Sequence, residues 1–252
     1  LLGRPREDAE RSWWDAWITL QWDRGWLHFH EGRFAELYAL LDQVGQTLGT
    51  HGSPRERAFF LDLRMHAEWT RTRFASTGLI LDLAEEAAKN FRATGTGTDS
   101  LRAERTLAHA YLWSSERRAG AHDHLVRFYE QALRGRSSWY LLFALWYLEI
   151  WHRLEGDVEA VRDYARETLS VVTGLPGVLM EFGGEAKAHL SWVAWRTGDL
   201  DEARALAEEA LREISAEAYS AFEWQARWTL LGLALHDRDW PEAARQAEAI
   251  LD

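Results

Sequence analysis

The sequence predicts an all-α fold, a right-handed α-solenoid superhelix of about six helix-turn-helix repeats. Three observations predict it. Apolar residues recur at the 3.6-residue period of an amphipathic helix along nearly the whole chain, and no sustained two-residue alternation marks a strand. A phrase recurs in which one helix stops, the chain turns and an Ala-rich helix starts. It reads Gly198-Asp199-Leu200-Asp201-Glu202-Ala203-Arg204 and Gly156-Asp157-Val158-Glu159-Ala160-Val161-Arg162, with worn copies from Arg238 to Ala244 and from Gly32 to Leu37. Markers at Gly120, Gly156, Gly198 and Arg238 stand 36, 42 and 40 residues apart, an interval suited to stacked helical hairpins.

In chain order, the first hairpin pairs residues 7–30 with 33–48, and the turn between them is marked by Gly32. Gly49-Thr50-His51-Gly52-Ser53-Pro54 then breaks the chain, with Pro placed at a helix start. The second hairpin pairs 54–75 with 78–93, and Gly95-Thr96-Gly97-Thr98-Asp99 follows as a loop ending in a helix cap. The third pairs 99–117 with 122–134 and departs from the pattern, because Ser114 to Ala121 stretches the tight turn. Arg136-Ser137-Ser138-Trp139 caps the fourth, 137–154 with 157–172, and Gly174-Leu175-Pro176-Gly177 stops it. The fifth pairs 177–197 with 199–214 and the sixth 217–236 with 240–251. Ala203, Ala207 and Ala210 share one helical face, matched at the same offsets by Val161, Ala165 and Thr168, and by Ala243, Ala247 and Ile250. This is the expected seam between the two helices of a hairpin.

Composition narrows the function. The 252 residues are 47% hydrophobic and 27% charged, which suits a folded protein with a large core. Forty acidic against 29 basic residues leave a net charge of -11, the wrong sign for direct nucleic-acid contact. With no cysteine, disulfides, thiolate metal sites and cysteine nucleophiles are excluded. The longest apolar run, Trp139 to Leu148, is half the ~20 residues of a membrane helix, and no signal peptide is visible. A cytoplasmic protein that does not engage membranes is expected. The chain starts at Leu1, so residues 1–252 read as a single repeat domain cut from a longer polypeptide.

Three stretches carry a family likeness: Leu20 to Leu27, Arg57-Ala58-Phe59-Phe60, and Ala188-His189-Leu190-Ser191-Trp192 running on to Leu200. On them the chain resembles a tetratricopeptide-type array, in the flavour found at the C-terminal end of bacterial STAND/AAA-type signalling ATPases, nucleotide cyclases and LuxR- or SARP-type regulators. The likeness covers most of the chain and its motifs are structural. It implies a signal-transduction or transcription-regulation context. No Gly-rich phosphate loop and no DNA-binding helix-turn-helix accompanies it.

Chemical motifs are sparse. His28-Phe29-His30 lies inside a helix, where residues two apart point about 200° apart and cannot share a metal. His122-Asp123-His124 could converge only in an irregular loop, and no third ligand is implied. No His-Glu-x-x-His or Gly-x-Ser-x-Gly occurs, and Glu85-Glu86 and Glu208-Glu209 diverge on exposed faces. No catalytic residue, cofactor or metal site is expected.

The fifteen tryptophans are informative through their phase. Trp22, Trp146 and Trp228 stand ten residues before a turn marker, Trp26 and Trp192 six before, and Phe29 and Trp195 three before. In such an array the first helix of each hairpin lines the concave surface, so these side chains are candidates for an aromatic binding groove. Core packing is the stronger reading for any one of them, since Trp is also a structural residue of such repeats and a one-residue shift of register moves it inside. The groove reading yields a non-catalytic scaffold that holds a protein, a peptide or a neighbouring domain of its own chain. The alternative is a sensor for a small-molecule effector. Trp13, Trp14 and Trp17 form a separate aromatic first helix, expected to pack on an upstream domain or a second copy.

Overall fold

The computed structural model describes residues 10–72, 75–173, 181–214 and 220–251. Among them it contains twelve α-helices and no strand: α1 Arg11–His30, α2 Phe34–His51, α3 Pro54–Arg71, α4 Gly78–Ala93, α5 Gly97–Leu112, α6 Arg118–Arg134, α7 Ser138–Glu155, α8 Val158–Val172, α9 Glu181–Thr197, α10 Leu200–Glu213, α11 Ser220–Asp237 and α12 Trp240–Leu251. They follow the six expected hairpins. The expected stop at 174–177 lies outside the described residues.

Local chemistry makes the turns. Gly32, Gly156, Gly198 and Arg238 all adopt the left-handed conformation, with φ of 67°, 78°, 90° and 59°. In each case the next residue donates its amide back across the turn: Arg33 to the His28 carbonyl, Asp157 to His152, Asp199 to Ala194 and Asp239 to Ala234, all at 2.9 Å. This six-to-one bond of a Schellman motif satisfies a carbonyl that the helix end leaves unpaired. The same aspartates then open the next helix. Oδ1 of Asp157 accepts from the Ala160 amide at 3.1 Å, that of Asp199 from Glu202 at 3.1 Å and that of Asp239 from Glu242 at 3.2 Å. One residue thus closes a helix with its backbone and caps another with its side chain.

The third hairpin differs from expectation. Gly120 lies inside α6, and the turn is at 113–117, where Oγ of Ser114 accepts from the amides of Glu116 and Arg117 at 3.3 and 3.1 Å. A Ser-based turn needs no left-handed glycine, so the marker read at 120 is not a turn. The cap of α5 is Thr96 rather than Asp99, which accepts from Arg55, Arg102 and Thr94 instead. Ser53 and Glu56 form a full capping box at the start of α3.

Two compact units emerge, divided at residues 128 and 129 within α6. In the first, α1 packs on α2 and α3, α2 on α3, α3 on α4 and α4 on α5. Its cores are built from Trp14, Trp17, Leu37, Val44 and Leu63, and from Met65, Trp69, Ile80, Ala84 and Phe91. Trp14 and Trp17 therefore face inward against α2 and α3 instead of outward. The exposed side of α1 carries Ser12, Asp15, Thr19 and Asp23 together with Leu20 and Leu27.

In the second unit each helix packs on the next, and the first helices α7, α9 and α11 also pack on one another in order. The expected seam is present: Ala203, Ala207, Ala210, Val161, Ala165 and Thr168 are fully buried. Small side chains there let the paired helices approach closely. No helix among the described residues is long and apolar enough to cross a membrane.

Candidate functional site

The first helices of both units carry rows of aromatic and charged side chains. In the first unit Trp22, Trp26 and Phe29 are half-buried and stack edge to face along α1, with ring centroids 5.5 and 5.3 Å apart. Trp22 reaches Phe59 of α3 at 4.9 Å, and Trp26 reaches His66 of α3 at 5.5 Å. His66 continues the row to His109 of α5 at 5.5 Å. Beneath the rings, Asp62 accepts from Arg105 at 2.5 Å and from Thr106 at 2.8 Å. Burial would raise its carboxyl, but Arg105, His66 and Thr106 outweigh that and hold it below the usual carboxylate range. Burial lowers both imidazoles, His66 despite Asp62 and His109 well below its ordinary value.

In the second unit Trp146 and Trp192 are buried, at 2% and 6% exposure, Trp195 is half-buried and Trp228 is 55% exposed. Trp146 and Trp228 share an offset from the turn but not an environment. The two differ in what lies against them. On α7 the next first helix, α9, lies against the face that includes Phe143, 5.2 Å from Phe182. On α9 that face is covered by α11: Ser191 donates to Thr229 at 3.1 Å, and a Cβ on Gly232 would meet the Trp195 ring at 3.0 Å. On α11 the corresponding Trp228 and Leu235 remain exposed. The structure thus does not bring the seven aromatic candidates into one equivalent row. Trp192 does form a joint feature: the guanidinium carbons of Arg153 and Arg196 each lie 5.5 Å from its ring centroid. Arg153 also donates to the Gln225 carbonyl at 3.3 Å, so one cation spans α7, α9 and α11.

Sequence reasoning missed a polar cluster beneath this arginine. Glu149 of α7 and Glu185 and His189 of α9 are all fully buried. Nε2 of His189 lies 2.5 Å from Oε1 of Glu185 and 3.8 Å from Oε2 of Glu149. Oε1 of Glu149 accepts from Thr168 at 2.5 Å. Oε2 of Glu149, both oxygens of Glu185 and both ring nitrogens of His189 lack a partner in hydrogen-bond geometry. Burial raises the Glu149 carboxyl to about 8 and Glu185 well above its ordinary range, and lowers His189 well below its own. Two signals could have found the cluster: a lone glutamate at the end of the longest apolar run, and a Glu-x-x-x-His pair on one face of a helix rich in small residues. Of the histidines tested in the sequence, His28 is buried and His30 exposed. His122 and His124 lie within α6, where His124 pairs with Glu104 at 2.7 Å.

No family model matches the chain, and no curated protein matches it. Among solved structures it is similar to NprR in complex with its cognate peptide NprX, with a TM-score of 0.65 at 12% identity. The match covers 92% of this chain and 64% of that one, so the chain spans less than two thirds of NprR. At that identity the likeness establishes the fold: a tetratricopeptide-like series of helical hairpins.

Proposed function

We propose that this chain is a non-catalytic regulatory module that binds a peptide or a protein segment along its first helices. The observation that carries the reading is the Arg153–Trp192–Arg196 stack, two cations on one indole, bridging consecutive first helices. Such an arrangement lays guanidinium donors over a buried indole, where they can meet the carbonyls or carboxylates of an extended chain. The fold likeness to NprR, solved with a peptide, agrees with it. In this reading Trp195 and Trp228 extend the platform, while Trp146 supports it from below. In the first unit, Trp22, Trp26 and Phe29 with His66 and His109 offer an aromatic row of their own.

A bacterial signalling ATPase, cyclase or transcription regulator is the context we propose, in the cytoplasm, with residues 1–252 acting as one repeat domain. The absence of catalysis rests on accessibility: the cluster best equipped for acid–base work, Glu149, Glu185 and His189, is sealed from solvent. A small-molecule effector is the weaker reading. The depression along Ser12, Asp15, Ala16, Thr19, Leu20 and Asp23 and that at Thr197 to Asp201 are open on the surface, unlike the enclosed sites small ligands prefer.

Selection from a library of random seven- to ten-residue peptides on the 252-residue chain tests the reading. Binders are expected with micromolar Kd, weakened about tenfold or more by Arg196→Ala or Trp228→Ala, both side chains being accessible. If the folded chain selects no peptide, or selected peptides bind both variants unchanged, the reading fails.

A further inference from the structure

We propose that Glu149, Glu185 and His189 bind one divalent first-row transition-metal ion inside the unit of residues 129–252. The three side chains are the one group of such ligands found converging among the described residues, each offering a ligand atom within 4.8 Å of the others. Helical spacing explains the convergence. Residues 185 and 189 are one turn apart on α9 and share a face, and α7 packs on that face and supplies Glu149.

The stronger argument is the unpaired chemistry. All three residues are fully buried, Nδ1 of His189 has no hydrogen-bond partner, and Nε2 of His189, Glu185 and Glu149 face one another with no cation or strong donor between the two carboxyls. Buried polar groups left unpaired cost about 1–3 kcal/mol each, and carboxylates more. Protons shared among the two glutamates and Nε2 of His189 meet only part of this need, since they leave Nδ1 of His189 without a partner. A metal ion accepts lone pairs from both carboxylates and the imidazole together, without requiring any donor. Coordination uses the neutral imidazole and the carboxylate forms of both glutamates, so metal binding competes with protons.

The surroundings specify the ion further. Thr168 of α8 donates to the oxygen of Glu149 that faces away from His189, orienting the carboxylate as an outer partner does. One imidazole with two carboxylates suits zinc, manganese or iron(II) better than calcium or magnesium, which take oxygen ligands alone. Arg153 is the cation facing the cluster from α7, and Glu167 of α8 bears on Glu149. With Glu149, Glu185 and Glu167 against Arg153 and a dication, the charges of the cluster cancel.

The test uses the 252-residue chain stripped with a chelator and titrated with zinc chloride and, separately, manganese chloride at pH 7.5. Equilibrium dialysis with elemental analysis should give one ion per chain. At an ion concentration 100-fold above Kd the unfolding midpoint should rise by about 5–10 °C. Glu185→Gln and His189→Gln should each lower affinity at least tenfold. Cobalt substitution reads the site independently: its visible absorption should appear in the parent chain and vanish in His189→Gln, even if that variant is less stable. Absence of stoichiometric metal in the folded parent overturns the proposal and leaves a shared proton as the occupant. Equal binding by the parent and both variants also overturns it, placing the ion on surface histidines.

Discussion

Trp192 and Trp228 show how one residue type takes opposite roles on neighbouring first helices. Trp192 is buried under two arginines and Trp228 is 55% exposed. Trp192→Ala should cost about 3–5 kcal/mol in urea unfolding, whereas Trp228→Ala should change stability by no more than about 0.5 kcal/mol. A similar loss for both would show that α11 is covered as α9 is. Glu104 offers a pH test. Burial favours its neutral form, but His124, Arg92 and Arg127 bond its oxygens at 2.7, 2.8 and 3.0 Å and hold it at about 2. A folded value below the ordinary 4.5 means the stabilisation is present above about pH 4.5 and is lost as pH falls toward 2. Discounted for the half-exposed arginines, Glu104→Gln should cost about 1–2 kcal/mol at pH 7. That difference should shrink below pH 4.5 and be largely gone by about pH 2 in denaturant titrations at stepped pH.

At the scale of elements, the turn phrase is a mechanical part. The Asp that follows the left-handed residue closes one helix and caps the next, so its two functions can be separated. Asp199→Ala keeps the amide bond to Ala194 and loses only the bond from Glu202. It should destabilise by about 1 kcal/mol, with faster hydrogen exchange confined to the first turn of α10. Arg238 occupies a left-handed position that glycine holds at the equivalent turns. Arg238→Gly should therefore stabilise by up to about 1 kcal/mol in thermal or urea unfolding. These elements were legible because capping and left-handed turns are local chemistry, readable within a few residues. The third turn was not: Ser114 performs by side-chain acceptance what glycine performs elsewhere, and Gly120, a helix-interior residue, looks the same in sequence as a turn glycine.

Across the whole molecule, stability is a sum of neighbour contacts, so protection from exchange should follow the number of packed neighbours. In the unit of residues 129–252, α9 packs on α7, α8, α10 and α11. Its amides should exchange last in native-state hydrogen exchange, and those of α12, packed on α11, among the first. The net charge of -11 predicts no measurable affinity for duplex DNA even at 50 mM salt, checked by fluorescence anisotropy.

The sequence by itself determined the helical hairpins, their boundaries within a few residues and the small-residue seams, because period, caps and turns act through near neighbours along the chain. Tertiary structure alone decided which of the equally phased tryptophans are covered, since coverage depends on what lies against each. It also decided that Trp14 and Trp17 face α2 and α3. The cluster of Glu149, Glu185 and His189 belongs to the same class. Glu149 on α7 precedes Glu185 on α9 by 36 residues in sequence, and only the packing of α9 against α7 removes the three from water and brings unremarkable polar residues together as a set of converging ligands.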